Sequence, residues 1–459
     1  MTYIIQSVNP TTEKIIQSFN ISTNEDIKSC LNLSKLSFEK WNKTTFKQRS
    51  ILISKLSLLI NIKKKKLANL MAIEMGKPLR QGEDEILKCI AICQYYAKYG
   101  NFFLKNTLIN TNSPLSFTQH EPMGPLLAIM PWNFPFWQVF RMCIPAIIGG
   151  NVIILKHAPN VTLCALEIKK IFNEANFLNL NGIFQILLLS NIQTNNLIEN
   201  KIIKGVSFTG SSSVGTHIST LCAKHFKKCI LELGGNDPFI VFKDANIKKA
   251  AKLGVFARCL NSGQSCIAAK RFYIHQDIYK SFYKNFIKYM QLEIVGNPLN
   301  ISSTIGPLCS NKQLLSLSKQ IDDAKNKGAT ILYTGKNISN TGFYCPPTII
   351  TNVTKEMNIF YEEIFAPVAI ITTFKNKEEV IALANNSNYG LGASIWTKKL
   401  KKITYLTSQI ESGIFYINTF TRSDIKLSFG GLKNSGIGKE LGKDGIKEFM
   451  NSKSISINF

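Results

Sequence analysis

Three residues of this chain have the types that acyl chemistry requires. Cys266 ends the run NSGQSC (261–266), whose residues are small, polar and turn-forming. After Gly-Gln-Ser it is placed to start a helix, where the dipole and the backbone N–H groups favour a nucleophilic thiolate. A buried, inert thiol has the same local composition; Cys229 and Cys259, flanked by apolar or basic residues, have less claim to reactivity. Glu232 ends the apolar run CILEL and precedes two glycines in ELGGNDP (232–238), so its carboxylate stands beside backbone that another group can approach closely. Partial burial would raise its pKa toward that of a general base, whereas full exposure would leave an ordinary strand end. Asn133 lies in MPWNFPFWQVFR (130–141), between Trp132 and Phe134 and ahead of Pro135. An amide in so apolar a loop must find partners, either as a structural cap or as an oxyanion donor.

Two further stretches have the types that hold phosphates. In FTGSSSVG (208–215), Gly210 permits a tight turn, and Ser211 with the following helix N-terminus offers donors to an anion. The run contains no GxGxxG fingerprint, and a plain turn has the same residues. In NVIILKHAPN (151–160), Lys156 ends an apolar run; at the carboxyl end of a parallel strand it would reach ribose hydroxyls or phosphate, and on a surface it would snorkel into water.

The elements that must position these residues are legible from their period. Between residues 46 and 100 apolar residues recur at helical spacing, with a break at GKP (76–78). From about residue 126 the pattern changes to short apolar runs, LLAIM, NVIIL, GIFQILLL and KGVSFT, separated by stretches of helical length. After Glu232 a second series follows, with DPFIVF, RFYIH and PVAIITTF as strands and IYKSFYKNFIKYM as a helix. Alternating strands and helices specify βαβ units and parallel sheets. Two such units without a Pro-rich or low-complexity linker pack closely, and a crevice between them is the natural place for a ligand.

Composition narrows the function classes. With 459 residues, 45% of them hydrophobic, the chain forms two or three globular units rather than a disordered segment. No secretory signal opens it, and the uncharged stretch 122–140 contains four prolines, so a buried strand and loop is expected there rather than a membrane span. Eleven cysteines without a CxxC pair fit reduced thiols in a cytoplasmic protein, and five scattered histidines without HExxH give no expected metal site. The net charge of +26 is the one feature of a nucleic-acid-binding protein. Its lysines are spread along the whole chain, however, and KKKK (63–66) falls within a helical pattern, as a solvated face does. Neither a nucleic-acid nor a membrane partner is expected.

Taken in order, PWNFP, NVxxxK, FTGSxxVG, ELGG, GQSC, EEIFAP and FGGLKNSGIGKELG resemble the aldehyde dehydrogenase superfamily from about Asn9 to the C-terminus. Within it, the chain is most similar to the shorter bacterial succinate-semialdehyde dehydrogenases. The resemblance implies that Cys266 attacks the aldehyde, that the Asn133 amide and the Cys266 backbone N–H hold the oxyanion, and that Glu232 activates the water that hydrolyses the thioester. It assigns Trp132, Lys156, Gly210, Ser211, Glu363 and Phe365 to the cofactor. NAD-preferring relatives often carry a glutamate three residues after the lysine; here Pro159 stands there. With no carboxylate to repel a 2′-phosphate, and with Lys156 and His157 at hand, NADP is expected to be preferred and NAD possible.

The substrate implied is a small aldehyde, succinic semialdehyde first and a broader range of small aliphatic aldehydes or other semialdehydes as the alternative. Relatives acting on it clamp its carboxylate with an arginine eight residues after the loop asparagine, another six residues before the cysteine, and a late serine. Arg141 and Ser423 match the first and third, but Leu260 occupies the second position, with Arg258 or Arg422 as candidate replacements. Ala366 in EEIFAP replaces a usual glycine. The implied fold is α/β: a Rossmann-like cofactor domain (1–104 and 124–232), a catalytic domain (233–434) and an oligomerisation extension (105–123 and 448–459) that makes a homodimer or homotetramer.

Overall fold

The computed structural model describes residues 4–336, 338–339 and 341–459. The stretch 46–100 forms helices Phe46–Ile62, Lys64–Met75 and Leu79–Phe103, with the expected break at 76–78. Gly76 closes the second of these in the left-handed region, φ 78°, where a Cβ would lie 2.7 Å from the Pro307 ring. An additional break falls at Lys63, inside the tetralysine run, whose members pair with Glu174, Glu83 and Glu167 on neighbouring helices. Helix Asn24–Trp41, not anticipated from apolar spacing, opens with a capping box between Thr23 and Asp26.

Two large sheets follow. The first has six strands in the order Gly436–Ile437, Lys228–Glu232, Gly205–Thr209, Pro125–Met130, Val152–His157, Phe184–Ile186. All neighbours are parallel except the short first strand. Pro125–Met130 is buried at every position, as a parallel strand covered by helices on both faces must be. The apolar run GIFQILLL contributes only Phe184–Ile186 as strand. The second sheet has seven strands, ordered Thr330–Thr334, Thr348–Thr351, Val368–Phe374, Ala269–His275, Asp237–Val241, Gly392–Trp396, Ile414–Ile417. Only its first strand is antiparallel. Each sheet is packed between helices around its own buried clusters, one centred on Phe140, Val152 and Phe172 and another on Phe239, Phe272 and Phe286.

A third, antiparallel sheet stands apart: Met450–Ile457 pairs with Leu115–Pro122 along eight residues, and Thr107–Leu108 adds to the other side. Most of Met450–Ile457 is exposed. Among the described residues, no helix is long and apolar enough to cross a membrane.

Candidate active site

The first sheet positions most of the site by one device. Trp132 and Asn133 follow strand Pro125–Met130, Lys156 lies near the end of Val152–His157, Gly210 and Ser211 follow Gly205–Thr209, and Glu232 ends Lys228–Glu232. These strands are neighbours in the sheet, so the motifs come together at its carboxyl edge, where parallel sheets open a crevice. Ser211 is the N-cap of helix Ser212–Lys224, which turns that helix's free N–H groups toward the same edge.

Cys266 comes from the second unit. Helix Ile247–Cys259 ends and gives way to a short turn, Leu260–Gly263, in which Asn261 and Ser262 both have φ 56°. Such left-handed residues cost energy unless their surroundings hold them. Asn261 Nδ2 donates to the Asn133 carbonyl at 2.7 Å and to the Gln264 carbonyl at 3.0 Å, and Asn133 Nδ2 donates to the Gln264 carbonyl at 3.1 Å. Gln264 Oε1 accepts from Cys309 N at 2.9 Å. Lys270 Nζ donates to the Ser265 and Cys266 carbonyls at 3.0 and 2.6 Å. Cys266 therefore sits in a turn just ahead of strand Ala269–His275, not at the helix start expected from Gly-Gln-Ser. The strand's β-forming run RFYIH draws the chain out straight. Gly235, in ELGG, passes so close to this turn that a Cβ there would lie 2.5 Å from the Cys266 carbonyl oxygen.

Two cavities meet at Cys266. An outer cleft of about 390 Å³ is lined by Trp132, Asn133, Gly210, Ser211, Glu363 and Phe365 as well as Cys266. It continues through Thr209 and Ser211 into a further 540 Å³ lined by Lys156 and Pro159. An inner cavity of about 160 Å³, mostly apolar, is lined by Cys266, Leu260, Arg141 and Ser423 on the opposite side. Trp132 and Phe365 meet edge to face across the outer cleft with centroids 5.7 Å apart. All the sequence-derived cofactor candidates thus share one cleft, and Arg141 and Ser423 share the other.

Glu232 lines neither cavity. It is buried, and its Oε1 has no hydrogen-bond partner among the described residues. Burial pushes it well above the usual carboxylate range; Arg141 opposes that shift and Glu440 adds to it. Glu440, from the tail KELG, also forms a buried ion pair with Arg141. Desolvation pushes the Cys266 thiol up to about 12, with Arg141 and Lys270 pulling the other way. The free thiol is therefore protonated at neutral pH.

The expected clamp is altered around Leu260. Arg258 is fully buried and donates to the Gly263 carbonyl at 2.6 Å, so it braces the turn ahead of Cys266 and does not reach the inner cavity. Arg422 lies at the rim, exposed, with its guanidinium over the Tyr416 ring. A lysine that sequence reading passed over, Lys88 on helix Leu79–Phe103, enters the cavity and donates to Ser423 Oγ at 2.5 Å.

The outer cleft differs from expectation at one residue. His157 does not face it: its Nε2 donates to the Pro135 carbonyl at 2.9 Å, its Nδ1 accepts from Ala158 N at 2.8 Å, and burial pushes its pKa down to about 4. The strand's alternation turns His157 inward and Lys156 outward. The ring that does line the cleft is His217, on helix Ser212–Lys224. No carboxylate lines the Lys156 and Pro159 part of the cleft, and the buried Thr209 hydroxyl there lacks a partner among the described residues. A phosphorylated dinucleotide fits such a lining, since Lys156, the Ser211 N-cap and Thr209 supply donors and nothing opposes a 2′-phosphate.

The chain is similar over nearly its whole length to known proteins. The chain is 39% identical to a probable NADP(+) succinate-semialdehyde dehydrogenase of Synechocystis sp. over 99% of both chains. It is 36% identical to an NADP(+) succinate-semialdehyde dehydrogenase of Mycobacterium ulcerans over 98% of this chain and 99% of that one. The crystal structure of succinic semialdehyde dehydrogenase from Streptococcus pyogenes, solved with NADP+, superposes with a TM-score of 0.96 at 33% identity, covering 99% of this chain and all of that one. The sequence model of the aldehyde dehydrogenase family matches residues 2–455, and the chain belongs to that family.

Proposed function

We propose that this protein oxidises succinic semialdehyde to succinate with NADP. The observation that carries the reading is the position of Cys266 at the junction of a dinucleotide-sized cleft and a small, mostly apolar cavity with basic groups. A substrate in the inner cavity presents its carbonyl to the sulfur while the outer cleft holds the cofactor on the other side. Lys156, Ser211, Gly210, Trp132, Glu363 and Phe365 would hold the cofactor, whose nicotinamide supplies the hydride acceptor. Pro159 in place of a carboxylate favours NADP.

In the proposed mechanism Cys266 gives up its proton to solvent water and its thiolate attacks the aldehyde carbon, forming a thiohemiacetal. The Asn133 amide and the Cys266 N–H carry the developing oxyanion. Oxidation leaves a thioester on Cys266, and Glu232 takes a proton from the water that cleaves it, returning the thiol and releasing the acid. Glu232 must swing from its buried position beside Arg141 and Glu440 to do so.

The assignment of 1–104 and 124–232 to the cofactor, of 233–434 to catalysis and of 105–123 with 448–459 to subunit assembly accompanies this reading. So do a cytoplasmic location and a homodimer or homotetramer, which the long exposed strand Met450–Ile457 favours. Leu260 in the cavity favours a second reading, broad action on uncharged aldehydes.

The test is reduction of NADP and of NAD by the purified protein with succinic semialdehyde and with pentanal. A preference of more than about tenfold in kcat/KM, or ~1.4 kcal/mol, for the charged aldehyde supports the reading. Equal rates overturn it in favour of the broad enzyme.

A further inference from the structure

The inner cavity contains more cationic groups than the expected clamp supplies, and their charges are not equally available. Lys77 is fully buried and pairs with Glu85. Arg141 is paired with Glu440, so its charge is already matched, although Nη2 retains a free N–H. Arg422 is spread over Tyr416 at the rim. Lys88 is different: its ammonium contacts the Ser423 hydroxyl at 2.5 Å and stands over the Trp137 ring at 4.2 Å, and no ion pair reaches it among the described residues. It is a half-buried cation in a cavity walled by Phe134, Trp137, Leu260 and Phe420, with no matched anion.

We propose that Lys88, together with Ser423, is the anchor for the substrate's distal carboxylate and replaces the arginine lost at Leu260. This rests on the reading of the cavity as the site of an acidic semialdehyde. Ser423 Oγ accepts from Lys88 and so has its own O–H free to donate. Lys88 has further N–H groups beyond the one given to Ser423. A carboxylate at this point receives one charge-assisted bond and one hydroxyl bond, while the Trp137 face stabilises the cation. A leucine at 260 removes the bidentate fork and leaves an apolar wall, which suits a short methylene chain between carboxylate and aldehyde.

An unmatched cation in this setting is costly, and desolvation, with Arg141 adding repulsion, pushes Lys88 down to about 7. The groups facing it are Asp84, Glu85 and Cys89 from its own helix, Lys77 from the break at 76–78, Arg141 from helix Trp137–Ile148, Cys266 from its turn, and Arg422 and Asp424 from the segment after strand Ile414–Ile417. Below about pH 7 the free protein has Lys88 charged, and above it the charge is lost. An anionic substrate binds the charged form, so selectivity for it is greatest below that pH and falls as pH rises.

The experiment measures kcat/KM for succinic semialdehyde and for pentanal in wild type, Lys88→Met and Lys88→Arg across pH 6 to 9, with melting temperature as the check on folding. The expected result is that the charged-to-neutral ratio falls at least tenfold in Lys88→Met, is largely restored in Lys88→Arg, and declines with pH in wild type but not in Lys88→Arg. A ratio unchanged in Lys88→Met while wild type prefers the charged aldehyde overturns the anchor and leaves the substrate reading standing. A wild type without that preference overturns the substrate reading, and the anchor with it. Equal loss on both aldehydes assigns Lys88 a merely structural role and overturns the proposal.

Discussion

The Lys270 ammonium lies 2.6 Å from the carbonyl oxygen of Cys266 and 3.1 Å from Glu363 Oε1, joining the turn of Cys266 to a residue of the outer cleft. Lys270 is fully buried. Lys270→Met would leave the Glu363 carboxylate without its cation and the Ser265 and Cys266 carbonyls without their donor. The expected loss is about 3 to 5 kcal/mol of stability, together with a rise in KM for the cofactor, read by denaturant unfolding and by initial rates. A variant of wild-type stability and unchanged cofactor KM would show that the two sites are not joined through Lys270.

The thiol's environment sets a pH dependence that alkylation can follow. With Cys266 pushed up to about 12, its thiolate fraction in the free protein grows about tenfold per pH unit through the neutral and mildly alkaline range. Iodoacetamide labelling of the Cys266 peptide, followed by mass spectrometry, should rise in proportion between about pH 7 and 10. A rate that levels off near pH 8 would mean that Arg141 and Lys270 outweigh burial. Cys266→Ser should show no labelled peptide here and no dehydrogenase activity.

Cofactor choice is expected to turn on Pro159. Replacing it with glutamate sets a carboxylate in a part of the cleft that has none, next to where a 2′-phosphate would lie beside Lys156. The expected outcome for Pro159→Glu is a fall of about tenfold or more in kcat/KM with NADP, with NAD kept or improved. An unchanged NADP to NAD ratio would place the adenosine end elsewhere.

How much of this was legible in sequence follows from the range of the forces involved. Trp132, Lys156, Gly210 and Glu232 could be placed because each follows a continuous apolar run, and such runs are what buried parallel strands look like. At Cys266, Gly-Gln-Ser-Cys is locally ambiguous between a helix start and an inert buried thiol. The left-handed Asn261 and Ser262 that make it a turn are held from a distance, by the Asn133 carbonyl among others. His157 and Lys156 are neighbours in sequence, and only the register of their strand decides which one meets the cleft. Lys88 is invisible for a different reason: among 55 lysines and arginines it looks like one more solvated charge, and its partner Ser423 is 335 residues away. Glu440 is hidden likewise in a glycine-rich tail, and only folding brings it to Arg141.

Glu85 shows how the inner cavity is held in shape, and it gives the sharpest stability test. Its Oε1 accepts from the backbone N–H groups of Phe136 and Trp137, both at 2.9 Å, at the start of helix Trp137–Ile148, while its other oxygen pairs with Lys77. The carboxylate thus caps the helix that carries Arg141 and fixes the loop that carries Asn133. Lys77 in turn stands over the Phe134 ring at 3.9 Å. Glu85→Gln can still accept from the two N–H groups, but it strands a fully buried lysine, and the expected cost is about 3 to 5 kcal/mol. Lys77→Met removes the stranded charge, so the double variant should recover most of that loss, giving a coupling well above the ~0.5 kcal/mol typical of independent sites. Additive losses in the double-mutant cycle would mean that Glu85 and Lys77 contribute independently of each other, and a negligible loss in Glu85→Gln would mean that the buried pair does not hold the loop.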